Sequence, residues 1–488
     1  NYSGAKLRNT ASNDDVNDFF RTGATFNNSI SVSGGTETVR TYFSYANSYS
    51  DGMMRNNNYK RNTLSFRQSY SLFNKKLNVD LSLNYVQAKT KNRPGGGTVM
   101  NPLYDLYRMP RNVDLNYYKE NYYIENGKWT SNEQSYFDSK NNKWTTGTVE
   151  LTGPKQEWAY WQNGMNNPYW MVNTRNSISE EERAYGYISA NYQIIDGLKI
   201  QGRLSLDRTK MKGTSERMAT TWNISAMEDY GMYGQDLNWI NEVYVDALLS
   251  YDKQIKDFSI SATTGWTGHT LKGETQKLWA KATTANWKHD TMPTLINFFE
   301  PSVSQGNVSE RSYTLSSNWD KGLLFTGQIG WQEKVYLEGS YRRDWYRAFK
   351  QYSYRGTPTN YGYFSVGANA LLHQIVALPE VITNLKVRAS YSEVGNSIPN
   401  VLYNARNTDP LTGAAVPSSY SYFNNPIPEK TKSFEAGFDI SLFGSALNWD
   451  MTYYNSAMHN SYLTISDLGG LKKPVNAGVI RNQGIETT

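Results

Sequence analysis

Two runs between Tyr59 and Gln87 alternate on the same beat, and one pairing satisfies both. From Leu64 to Leu72 the bulky positions are Leu64, Phe66, Tyr70 and Leu72, with Gln68 the exception. The residues between them are Thr63, Ser65, Arg67, Ser69 and Ser71. After Phe73-Asn74-Lys75-Lys76 the beat resumes as Leu77, Val79, Leu81, Leu83 and Tyr85 against Asn78, Asp80, Ser82 and Asn84. A period of two puts each set on its own face of a strand. Setting Leu72 opposite Leu77 brings Tyr70 to Val79, Phe66 to Leu83 and Leu64 to Tyr85 on one face. It brings Ser71 to Asn78, Ser69 to Asp80 and Arg67 to Ser82 on the other. A slip of one residue would exchange the faces, so the register is specified twice over.

The polar face consists of small hydroxyls, amides and charges, the lining expected of a water-filled lumen. Tilted by about 40°, the run from Leu64 to Leu72 crosses roughly 20 Å, close to the apolar belt of an outer-membrane barrel. The expectation is that the apolar face meets lipid. Mean hydropathy is low, at -0.68, and no apolar run approaches the ~18 residues of a transmembrane helix. A membrane strand is compatible with that profile because lumen residues dilute its apolar ones. The 50 Lys+Arg against 44 Asp+Glu are spread along the chain, whereas a nucleic-acid protein clusters its basic residues. There is no Cys, which excludes disulfides and Cys-based metal sites.

The alternating unit recurs at 26–33, 39–49, 184–195, 198–206, 243–251, 258–268, 323–331, 335–344, 364–372, 385–392, 434–443 and 447–454, and reopens near Gly484. That makes roughly fourteen strands. Connections alternate between short (34–38, 74–76, 196–197, 252–257, 332–334, 444–445, with 373–384 medium) and mostly long (50–58, 88–183, 207–241, 269–322, 345–362, 393–430, 455–483). Outer-membrane barrels join their strands in this way, with short periplasmic turns and long extracellular loops. The fold expected is therefore all-β, a transmembrane antiparallel β-barrel occupying 26–488, with 1–25 a lead-in from an N-terminal plug region. Open edges in lipid would leave backbone groups unpaired, so further strands are expected, in a barrel of about 22 that needs a plug.

Several blocks resemble the SusC/RagA family of TonB-dependent transporters. They are Asp18-Phe19-Phe20-Arg21-Thr22-Gly23 with Ser31-Val32-Ser33-Gly34-Gly35; Asn101-Pro102-Leu103-Tyr104; and Asn167-Pro168-Tyr169-Trp170. Leu337-Glu338-Gly339-Ser340-Tyr341-Arg342-Arg343-Asp344 continues the series, as does Leu385-Lys386-Val387-Arg388-Ala389-Ser390-Tyr391 with Val394-Gly395-Asn396. Ser433-Phe434-Glu435-Ala436-Gly437 and Asn482-Gln483-Gly484-Ile485-Glu486 complete it. The resemblance implies a Gram-negative, Bacteroidetes-type outer-membrane importer energised through the TonB complex. It implies a SusD-like lipoprotein over the extracellular mouth and an oligosaccharide or oligopeptide cargo. The plug and TonB-contacting segment of that family have no counterpart in these residues.

No catalytic pair, cofactor motif or metal spacing emerges. His269, His289, His373 and His459 are far apart in sequence and read as surface residues, and Pro94-Gly95-Gly96-Gly97 lacks the Lys-Ser/Thr of a phosphate loop. Trp129, Trp144, Trp158, Trp161 and Trp170, all in the loop 88–183, are candidate contacts for cargo or lipoprotein. Packing of the loop on itself is the competing reading. Candidate lumen-lining residues are Arg67, Asp80, Arg203, Arg342, Arg388, Glu435, Asp439 and Asp450. Pairing Leu442 with Leu447 sets Asp439 opposite Asp450, which calls for a counter-charge. The rival readings are a passive porin, which needs no plug, and a soluble all-β carbohydrate-binding protein, which needs a second layer over its apolar face.

Overall fold

The computed structural model describes residues 11, 16–95, 100–138, 140–158, 164–223, 226–228, 231–281, 287–288, 308–350, 358–397, 407–408, 415–416, 426–466 and 472–488. Fifteen strands form one antiparallel sheet in chain order. They are β1 (Ala24–Gly35), β2 (Val39–Asp51), β3 (Asn58–Leu72), β4 (Leu77–Lys91) and β5 (Asn176–Ile195). Then come β6 (Leu198–Arg217), β7 (Met232–Ile255), β8 (Phe258–Lys281), β9 (Val308–Trp331) and β10 (Val335–Tyr346). The last are β11 (Asn360–Leu371), β12 (Ile382–Asn396), β13 (Glu429–Leu442), β14 (Leu447–His459) and β15 (Val479–Thr487). Each strand is hydrogen-bonded to the next, so every connection reverses the chain and short and long connections gather at opposite ends.

The register expected from alternation is the one observed: Leu72 faces Leu77, Phe66 faces Leu83 and Ser69 faces Asp80. The turn after β3 is tight, and of its three left-handed residues only Asn74 is of a type that favours that region. Phe73, Asn74 and Lys75 take φ of 52°, 54° and 66°, a left-handed run that reverses the chain between β3 and β4.

The sheet is inside-out relative to a soluble protein. Its most buried side chains include Ser82, Ser189, Asp246, Thr267 and Asp344, whereas Val32, Leu83, Leu206, Phe325 and Leu337 are 50–65% exposed. Ile200 is exposed as well, and Leu81 and Phe438 are partly so. Among the described residues no second layer covers the apolar face. Aromatic side chains mark both rims of that face. Tyr251, Phe258 and Trp331 stand near the short turns, and Trp239, Trp319 and Trp345 near the long connections. From Tyr251 to Trp239 strand β7 rises about 40 Å along itself, or about 30 Å across a bilayer at ~40° tilt. Those are the dimensions of a hydrocarbon core between two interfacial girdles.

Two expectations need correction. Among the described residues the sheet's fifteen strands fall where the alternation put them, but β5 to β9 run 20 to 24 residues, well past the expected ends. Beyond the belt their outward positions turn polar (Glu182, Lys210, Lys212), so the apolar beat stops while the hydrogen-bond ladder continues. The connection read as one long loop is also a folded unit. It holds helices α1 (Pro102–Arg108), α2 (Leu115–Glu120) and α3 (Pro168–Thr174) and a hairpin of Tyr123–Asp138 with Lys143–Gln156.

Candidate functional site

The pairing registers put all eight candidate lumen residues on the polar face, where they form separate networks. In one row across the sheet Asp80 faces Ser189, Ser189 faces Arg203, Arg203 faces Asp246 and Asp246 faces Thr267. Asp80 accepts from the Ser69 hydroxyl at 2.6 Å. Asp246, 2% exposed, accepts from Arg203 Nε at 2.7 Å and from Gln201 Nε2 at 3.1 Å. Asp344 accepts from Arg342 Nε at 2.8 Å, from the Tyr346 hydroxyl at 3.1 Å and from the Tyr363 hydroxyl. A buried carboxylate is tolerated only with such company.

Asp439 does stand directly opposite Asp450. The counter-charge comes from within the sheet: Arg388 Nη2 donates to both oxygens of Asp450 at 2.9 and 2.8 Å, and to the Thr452 hydroxyl at 2.6 Å. Lys386 pairs with Asp439 on its other side. Glu435 lies between Ser390 and Tyr454. Arg67 lies 6.0 Å from the Tyr42 ring centre and borders a hollow of about 470 Å³ shared with Tyr187, Asp207, Glu242 and Tyr244.

His269 is not the isolated surface residue its sequence position suggests. Its Nε2 lies 2.7 Å from Glu242 and its Nδ1 2.9 Å from Asp320, so one ring bridges β7, β8 and β9. The three residues are distant in sequence and meet only because the ladder aligns them. With β7 and β8 read as ending near the belt, nothing in the sequence signalled the triad. Among the described residues no cluster of metal-ligating groups forms.

At the long-connection end, the folded unit packs around an aromatic core of Leu106, Leu115, Tyr118, Trp158 and Tyr169, joined by Phe19 from the lead-in. Phe19 and Tyr169 are 5.1 Å apart between ring centres, and Tyr118 and Trp158 are 4.9 Å apart. Both Asn-Pro pairs of the sequence start helices. Asn101 caps α1 by accepting from Leu103 N, and Asn167 caps α3 by accepting from Tyr169 N. The proline that follows fits the first turn, where its missing N–H goes unmissed. Gln156, Asn166 and Asn167 form a buried polar knot that ties the hairpin to Thr220 and Trp222, just beyond β6. Asp105 is buried beside it and accepts from Asn166 N at 3.0 Å. Burial pushes its pKa up to about 6, against the opposing pull of that hydrogen bond and of Arg108.

Of the five candidate tryptophans, Trp129, Trp158 and Trp170 are buried within the chain's own unit, and Trp170 Nε1 donates to Thr221 Oγ1 at 2.9 Å. Trp144 lies in the hairpin strand Lys143–Gln156, and Trp161 lies outside the described residues.

A protein-family profile described as "TonB dependent receptor-like, beta-barrel" matches residues 220–488. A search of curated proteins finds no match. The RagAB peptide importer in its open-open state is similar at 18% identity and a TM-score of 0.71, over 99% of this chain and 50% of that one. The ferripyoverdine receptor of the Pseudomonas aeruginosa outer membrane is similar at 12% identity and a TM-score of 0.53, over 96% of this chain and 52% of the other. The chain thus spans about half the length of these structures.

Proposed function

The chain belongs to the TonB-dependent receptor-like β-barrel family of the Gram-negative outer membrane, and from that premise we propose that it forms part of the wall and mouth of an active importer. The cargo in this reading is an oligosaccharide or oligopeptide. The energy comes through the TonB complex and a plug domain, and a SusD-like lipoprotein closes the mouth in a Bacteroidetes-type cell. The likeness to the RagAB peptide importer supports import as the direction.

The observation that carries the reading is the sheet's two-sidedness. An exposed apolar belt lies on one face, and paired charges, including the buried Asp246 and Asp344, lie on the other. A wall of this kind holds water and polar solute inside a hydrocarbon slab. The eight polar-face residues are proposed as the lining that plug and cargo meet. The folded unit 92–175 is proposed as the surface that meets lipoprotein and cargo, with Trp129, Trp158 and Trp170 serving by holding its core.

The test is uptake of labelled oligopeptides and oligosaccharides by cells with and without TonB, and with and without a SusD-like lipoprotein. Saturable uptake abolished by loss of TonB supports the proposal. Non-saturable flux that persists without TonB would sink it and point to a passive pore.

A further inference from the structure

The outward face is not uniform: it carries a hollow with a charged lip. On β5 the outward residues Ala184 and Gly186 are short. Their outward neighbours are tall, with Tyr85 and Leu83 opposite them on β4 and Leu206 opposite Gly186 on β6. The resulting depression, about 530 Å³, is walled almost wholly by carbon. At its upper lip, toward the long connections, Arg208 stands opposite Ala184 and is exposed.

Above that lip the outward positions become a cationic field, formed by Lys60 on β3, Lys89 on β4, and Lys210 and Lys212 on β6. Two acidic residues answer it from β5: Glu180 binds Lys89 at 2.8 Å, and Glu182 lies 3.7 Å from Lys210. Among the described residues Arg208 has no salt-bridge partner. A guanidinium at the lipid–water boundary, over a dry hollow, matches an anion attached to hydrocarbon. Arg suits phosphate in particular, through its planar fork of donors.

The geometry points to a lipid site: one acyl chain of a lipid A-type glycolipid lies in the hollow over Ala184 and Gly186, and its phosphate meets Arg208. The long connections mark the extracellular side, so the lipid concerned belongs to the outer leaflet, where the phosphorylated glycolipid resides. The site rests on this face meeting lipid, and not on the proposed cargo or energy source.

The experiment is native mass spectrometry of the full-length protein in mixed micelles containing lipid A and phosphatidylglycerol at equal mole fraction. The wild type is expected to retain lipid A preferentially. Arg208→Ala, a rim change with no packing cost, is expected to lower retained lipid A about tenfold, the usual scale for one charged hydrogen bond. Ala184→Phe, which fills the hollow, should do the same, while Ile329→Ala elsewhere on the belt should not. Heat-modifiable gel mobility shows which variants are folded. Should Ala184→Phe fail that check, Arg208→Ala and Arg208→Glu carry the test alone. Unchanged lipid A retention in folded Arg208→Ala, or equal uptake of phosphatidylglycerol by the wild type, overturns the proposal.

Discussion

Arg388 on β12 reaches Asp450 on β14 by crossing the whole width of β13. The residue it crosses is Gly437, which sits opposite Arg388 on one side and Thr452 on the other. A Cβ at Gly437 would lie 2.9 Å from the Thr452 hydroxyl and 2.5 Å from the Met451 carbonyl, so any side chain would close the path. The same device recurs at Gly322, which lies between Thr267 and Asp344. Over it, Arg342 Nη2 donates to the Thr267 hydroxyl at 3.3 Å. On this wall glycine opens the routes by which arginines reach partners two strands away, the Asp450 carboxylate for Arg388 and the Thr267 hydroxyl for Arg342.

Arg388→Ala is therefore expected to leave Asp439 and Asp450 facing each other, with Lys386 on the far side of Asp439 left to offset their charges. Both partners are partly exposed, with side-chain exposures of 36% and 41%, so the cost is about 1–2 kcal/mol, between that of a surface pair and a buried one. Adding Asp450→Asn should recover most of it. Urea unfolding of the detergent-solubilised barrel, run as a double-mutant cycle, measures the coupling. Additive losses would mean that the pair does not matter.

Trp170 is fully buried and anchors α3 to Thr221. Trp170→Ala should cost about 3–5 kcal/mol, the range for deleting a buried aromatic, and the loss falls on the loop unit. The expected phenotype is rapid protease cleavage within 92–175 on intact cells while the barrel keeps its heat-modifiable mobility. Loss of both together would mean that the unit and the sheet fold as one.

Asp105 gives the loop unit a pH dependence of unusual sign. Its pKa rises from 3.8 to about 6 in the folded unit, so between those values the folded form binds more protons than the unfolded. Stability is then fullest below pH ~4 and falls as pH rises through about 6, by about 2–3 kcal/mol in all. Hydrogen exchange in 92–175 should be faster at pH 8 than at pH 5 after correction for intrinsic rates. Asp105→Asn keeps an acceptor for Asn166 and should abolish the difference.

What the sequence disclosed follows from the range of the interactions involved. The Leu72–Leu77 and Leu442–Leu447 registers were legible because alternation is local and a turn fixes the offset. The opposition of Asp439 and Asp450 followed from the same arithmetic. Arg388 as their counter-charge did not, because it comes from a strand beyond the hairpin and depends on Gly437. His269 stayed hidden for the same reason, with Glu242 and Asp320 supplied by two different neighbours. The loop unit was invisible because periodicity carries little signal in six- and seven-residue helices. Its Asn-Pro starts were legible as motifs, and their capping role was not.

The two faces of β9 offer the most direct check on which side meets hydrocarbon. Phe325 lies midway between Trp319 and Trp331, the two girdle residues of its strand, and is 50% exposed. Its neighbour Thr326 points the other way and pairs with Ser340 and Thr263. An arginine at the midplane of a lipid face costs about 2–4 kcal/mol, and a lumen arginine costs far less. Phe325→Arg should therefore lower the folded, membrane-inserted fraction sharply in a vesicle-insertion assay, while Thr326→Arg inserts nearly as well as wild type. A soluble two-layer protein would also shield Phe325, but beneath a second protein layer, so its folding would not depend on the vesicles. Equal tolerance at both sites would show that neither face meets a bilayer.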